Sequence, residues 1–174
     1  MPIKNVERPL ADEYDAYFAT YVERVPEGHI LPVLEAQISE RKPWLYTLDP
    51  SAGQHRYAPD KWSLNEVLGH VNDGERVFQY RMLHGARRDP QDLPGFEQDD
   101  WARVAGHHER PLAALLDEFE GLRRETIRLI RSFDDTALAA TLHADGRPFS
   151  VRAIAWILAG HEVHHREVIK ERYL

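Results

Sequence analysis

The string His161-Glu162-Val163-His164-His165 is the part of this chain best equipped for chemistry. Residues four apart share one face of a helix, so His161 and His165 can offer their rings to a single point, as metal ligands do. The string also fits H-E-x-x-H, in which two histidines bind zinc and the glutamate serves as general base of a protease. That protease class takes its third ligand downstream, and nine residues follow His165. The extended form of the motif fails as well, because Val168 and Glu171 stand where it needs Gly and His. A metal at this pair therefore draws its third ligand from upstream. Glu162, about 100° from His161 on a helical wheel, reads as a solvated residue and not as a base.

The same wheel places Ile154, Ile157, Leu158 and Val168 within about 60° of His161, and His165 at about 40°. Both histidines thus occupy positions where Leu or Ile would be expected, with His164 at the edge of the stripe. Two imidazoles buried side by side are costly unless both are satisfied, and a shared metal satisfies both. Upstream, Leu68-Gly-His-Val-Asn-Asp-Gly-Glu75 carries His70 on a helical face with Val67, Gly74 and Val77. Alone, His70 reads as a core histidine bonded to a carbonyl. With the pair it completes a three-histidine set whose remaining position is open to water or substrate, and Gly74 leaves room for another group to approach. Arg81 falls about 20° from His70; it reads as a receptor for an anionic substrate group or as a salt-bridge partner. The histidines at 29, 55, 84, 107, 108 and 143 lie in or beside turns and read as solvated, the 107–108 doublet as a lining for a pocket mouth. Trp62, Trp101 and Trp156 read as core, and the acids of Glu97-Gln-Asp-Asp100 as surface charge.

The elements that must position these residues are helical. Leu10, Tyr14, Tyr17, Phe18, Tyr21, Val22 and Val25 recur at three- and four-residue steps and predict a short helix over about 10–25. A second helix begins near Ile30, with Pro43 bending or interrupting it. Ser63-Leu-Asn-Glu66 is a capping box, with Trp62 and Val67 at the positions of a hydrophobic staple; the helix it opens runs to about Leu83, with Gly85 just past its end. Residues 85–108, holding Pro90, Pro94 and Gly95, read as a long connection. A further helix starts at Pro111 and presents Leu112, Leu115, Leu116, Phe119, Leu122, Ile127, Ile130 and Phe133. Asp145-Gly146 predicts a tight turn in a small hairpin, and Ser150 caps the last helix. The expected fold is all-α: a four-helix bundle with a long crossover between the second and third bundle helices, plus a short extra N-terminal helix, in one domain spanning 1–174.

Bulk properties narrow the function classes. The chain has no cysteine, which removes thiolate metal sites and cysteine nucleophiles. A formal net charge of −7 argues against nucleic acid or an anionic membrane as the main partner. The first nine residues hold no apolar signal core, and no run approaches the length of a transmembrane helix. A cytoplasmic protein acting on a small molecule is the expectation.

Lys61-Trp-Ser-Leu-Asn-Glu-Val-Leu-Gly-His70, followed by Asp73-Gly-Glu75, resembles the first-ligand helix of the DinB/YfiT-like superfamily, and Gly160-His-Glu-Val-His-His-Arg-Glu-Val-Ile169 resembles its C-terminal H-x₃-H helix. The resemblance covers nearly the whole chain. It implies a bundle with a divalent metal on His70, His161 and His165, with His164 as a non-ligand neighbour. Members include transferases and isomerases that use a low-molecular-weight thiol, and metal-dependent hydrolases, and they often form homodimers. The expected function is thus a metal-dependent enzyme that activates a thiol or water, a thiol transferase or a hydrolase, with zinc or nickel suited to neutral imidazoles. The alternative is a non-catalytic metal-binding or stress-response bundle.

Overall fold

The computed structural model describes residues 6–174. The five residues before Val6, part of the expected domain span and of the reading against a signal core, lie outside the described residues. The helices are α1 (Ala19–Val22), α2 (Ile30–Glu40), α3 (Lys42–Leu45), α4 (Leu64–Ala86), α5 (Gln98–Val104), α6 (Leu112–Ser132), α7 (Asp135–Leu138) and α8 (Val151–Arg172), with a hairpin of β1 (Thr141–Ala144) and β2 (Arg147–Ser150) before α8. No helix among the described residues is long and apolar enough to cross a membrane.

Four long helices, α2, α4, α6 and α8, form the bundle, and hydrogen bonds between them establish its directions. Asn72 donates to the Leu115 carbonyl and Gln79 to that of Leu122, so α4 and α6 run parallel. Gln37 donates to the Ala159 carbonyl while Arg41, just past α2, pairs with Glu162, so α2 and α8 run parallel too. His70 meets His161 near the start of α4 while Gly85, at its end, packs against Val151 at the start of α8, which makes α4 and α8 antiparallel. The order is up-down-down-up. Two successive parallel helices need a connection that returns the full length of the bundle, and residues 87–111 supply it.

The local signals for α4 and α8 act as expected. Ser63 Oγ accepts from the Glu66 amide at 3.3 Å while the Glu66 carboxylate accepts from the Ser63 amide at 2.7 Å. Ser150 Oγ accepts from the Ala153 amide at 3.0 Å. Asp145 and Gly146 both take positive φ, 56° and 68°, which matches the twist of a two-residue hairpin turn. Leu142 pairs with Phe149 across the strands, and both side chains close one end of the core.

Three expectations need correction. The N-terminal helix is confined to Ala19–Val22, preceded by two 3₁₀ turns. Tyr14 is drawn into a β-bridge with Phe149, and Asp15 caps a fresh turn by accepting from the Tyr17 amide. Gly85 lies inside α4, where an added Cβ would stand 2.8 Å from Leu142 and Val151; it is a close-packing position and not a helix terminator. The crossover is partly ordered into α5, whose first turn carries Asp99 and Asp100, so these acids complement the positive end of a helix.

Candidate metal centre

Each histidine of interest is placed by a well-specified helix. His70 sits two turns into α4, past the Ser63 cap, and His161 and His165 occupy successive turns of α8. The Nε2 atoms of His70 and His165 both lie 3.1 Å from Nε2 of His161. One donor nitrogen from each residue falls within 4.8 Å of the others. Gly74 makes this possible, since a Cβ there would come within 3.1 Å of His161 Cε1. Trp62 flanks His70, and Tyr21 and Phe78 flank His161, with ring centroids 5.0–5.8 Å apart.

Burial sets the charge state of the cluster. It pushes His70 down to about 4, outweighing the opposite pull of Asp73 and Asp99. His161 and His165 are also well below the usual histidine range, through burial first and then through the neighbouring imidazoles. All three are therefore neutral at pH 7, the form in which imidazole binds metal. An imidazole nitrogen carries either one proton or one in-plane lone pair, so at most one of the two contacts at His161 Nε2 can be a well-formed hydrogen bond. A divalent cation accepts from all three nitrogens at once, and the donor set fits it. His164 points away from this point, against Tyr21, and is not among the converging donors.

Two cavities meet at the cluster. The larger, about 570 Å³, is reached from His165 and is lined by Trp62, Asp99, Arg103, His164 and Tyr173. The smaller, about 260 Å³, is reached from His70 and His161 and runs past Phe78 to Arg81. Gln98 of α5 lines both. Arg81 is 7% exposed and donates to the Pro94 carbonyl at 3.4 Å. Among the described residues no carboxylate lies within ion-pair distance of it.

Several other polar residues differ from their expected places. Glu162 is fully buried and paired with Arg41 at 3.0 Å, not solvated. α8 packs against α1, α2, α4 and β2 and is buried nearly all round as far as Val163, so a position about 100° round from His161 still faces protein. Arg41 also lies 3.6 Å over the Phe119 ring. Beside it, Arg123 forms a two-pronged pair with Glu75 at 2.8 and 2.9 Å and contacts Gln37, while Thr126 donates to Glu75. Sequence reasoning passed over this network, although the signal was present: Gln37 and Arg41 fall about 20° either side of Ile30, and Arg123 about 20° from Leu112, each within an apolar stripe. His107 and His84 are buried rather than solvated. His107 packs against Gly69 and bonds Asp73 at 2.9 Å, and His84 bonds the Gln91 carbonyl at 2.9 Å. Trp156 is core, whereas Trp101 is 42% exposed and stacks on Phe96.

Known proteins share this architecture. The model of the DinB superfamily matches residues 34–169. A Halalkalibacterium halodurans protein named "Putative metal-dependent hydrolase" is 22% identical over 116 residues, covering 66% of this chain and 67% of that protein. YfiT from Bacillus subtilis, described as a probable metal-dependent hydrolase with an unusual four-helix bundle topology, superposes with a TM-score of 0.70 at 15% identity, over 95% of this chain and 91% of that one. A mycothiol-dependent maleylpyruvate isomerase superposes with a TM-score of 0.65 at 13% identity, over 79% of this chain and 58% of that chain.

Proposed function

The chain belongs to the DinB superfamily, and from that premise we propose that it is a metal-dependent enzyme in which His70, His161 and His165 hold one divalent cation, zinc or nickel. The observation that carries this reading is the convergence of three neutral imidazoles, two buried and one half-buried, between two cavities. Three protein ligands leave a position open, the pattern of catalytic zinc sites; structural sites are usually closed by four. A divalent ion bound this way makes a thiol or a water nucleophilic near neutral pH.

The chain's own residues do the remainder. Burial keeps the ligands unprotonated, Trp62, Tyr21 and Phe78 shield them from bulk water, and Arg81 receives an anionic group of a small-molecule substrate. Water as the nucleophile is supported by the metal-dependent hydrolase names of two similar proteins. A low-molecular-weight thiol is supported by the mycothiol-dependent structural neighbour and by the size of the larger cavity.

The test is elemental analysis of protein purified without an affinity metal, beside His70→Ala and His165→Ala, followed by assays of metal-loaded protein on a panel of esters, amides and thiol-plus-electrophile pairs. One equivalent of metal in the wild type, lost in both variants together with turnover, is the expected result. Equal metal in all three proteins refutes the site. A loaded wild type inert across the panel refutes the enzyme reading and leaves a metal-binding bundle.

A further inference from the structure

We infer that the smaller cavity is the binding site for a small aryl carboxylate, its carboxylate on Arg81 and its opposite end directed at His70 and His161. This names a substrate class for the site proposed above and rests on that reading for its role in turnover, although binding can be measured without it.

Five aromatic rings, from Tyr17, Phe18, Tyr21, Phe78 and Phe96, surround the cavity. Such walls favour a planar apolar body through offset and edge-to-face contacts. The volume, about 260 Å³, falls just below the range of drug-sized ligand sites, roughly 300–1,000 Å³, which suits a single ring with a short side chain. Arg81 and His70 are eleven residues apart on α4, about 16 Å along the axis. Helical side chains tend to lean toward the N-terminus, which shortens such a span, and Arg81, His70 and His161 line the one cavity.

Charge is distributed unevenly in this space. Arg81 is the cavity's buried cation, and the Pro94 carbonyl occupies only one of its five N–H donors. A desolvated guanidinium left without an anion is costly, and its planar fork matches a carboxylate bidentately. The acids that line the cavity, Glu97 and Asp145, are exposed at its mouth. Asp145 lies 4.0 Å from Arg147, whose guanidinium rests 4.7 Å over the Tyr17 ring. Arg147 lies nearer Asp15, at 3.6 Å, and Asp145 also acts on Arg81 through space, so the mouth carries more acid than base, while the buried charge lining the interior is the Arg81 guanidinium.

Calorimetric titration of the full chain with phenylacetate, phenylacetamide and phenethylamine tests this. Because a carboxylate also ligates divalent ions directly, metal-loaded wild type, chelator-treated wild type and His165→Ala are run side by side, each also carrying Arg81→Met or Arg81→Lys. Phenylacetate should bind at least tenfold more tightly than the amide in every background. Arg81→Met should abolish that preference, weakening phenylacetate roughly ten- to a hundred-fold, and Arg81→Lys should keep part of it. In wild type, the Arg81 Nε–H NMR resonance should shift with phenylacetate and not with the amide, a readout that does not depend on the variants folding. Equal binding of acid and amide, tighter binding of the amine, no binding of any, or a preference that is confined to loaded protein and survives Arg81→Met would each overturn the assignment. Stoichiometric metal with any of these results sinks the substrate class alone; acid selectivity without metal uptake sinks the metal reading alone.

Discussion

Acidifying the metal-free protein from pH 7.5 to 5 should destabilise it through the same histidines that make the site. His70 is pushed down to about 4 from an ordinary 6.5. Above pH 6.5 neither the folded nor the unfolded chain carries this proton, and the contribution to stability is complete. Between 6.5 and 4 the unfolded chain binds a proton that the folded chain refuses, so stability falls with pH; below 4 both states are protonated and the loss levels off. A difference of 6.5 − 4 = 2.5 units amounts to about 3 kcal/mol in full, of which about 2 kcal/mol is lost by pH 5. His161 and His165, also well below their ordinary range, act in the same direction. Glu13, Glu66 and Glu118 are held below the usual carboxylate range, so most of their contribution is lost below this window. Urea denaturation in a chelator at pH 7.5, 6.5 and 5.0 measures the effect, and His70→Asn should show a shallower slope than wild type. A wild-type midpoint that stays constant across this range, or a His70→Asn slope equal to wild type, would refute the argument that burial holds these rings neutral.

Other perturbations follow from the same geometry. Arg41→Met strips the partner from the fully buried Glu162 and should cost about 3–5 kcal/mol in urea unfolding; Arg41→Met with Glu162→Leu should recover most of it. Gly74→Ala brings a methyl group 3.1 Å from His161 Cε1, so metal affinity in a competitive chelator titration should fall roughly tenfold, while the helix loses no stability and can gain up to about 1 kcal/mol. Ser63→Ala removes one side of the capping box ahead of α4 and should cost about 1 kcal/mol, read as a lower unfolding midpoint.

Much of the site was legible because helices encode it locally. Capping residues announce where α4 and α8 begin, and a polar residue on an apolar stripe stands out without any tertiary information. The same logic applied to Gln37, Arg41 and Arg123 would have revealed the buried ion network, whereas Glu162 could not be placed by any wheel, because α8 is buried nearly all round from Val151 to Val163. His107 left no periodic signal: its burial depends on a loop folding back onto Gly69, a contact between residues 38 apart in sequence. Tyr14 kept its helical spacing, but pairing with Phe149 outweighed it. α5 buries only Ala102 and so shows no core-facing apolar stripe, which is why seven residues of helix passed for connection.

Gln98 has a consequence for how proteins of this architecture can diverge. The prospective ligands stand on α4 and α8, held by the bundle, while most of the smaller cavity's wall is supplied by the crossover, the hairpin and the N-terminal turns, and much of the larger one's by the crossover and residues 57–62 ahead of α4. Substitutions, or even insertions, in those segments can remodel what enters either cavity while the three imidazoles stay in register. The binding of a metal and the choice of a substrate are thus inherited on separate stretches of chain, and a single exchange at Gln98, which faces both cavities, would alter two pockets at once.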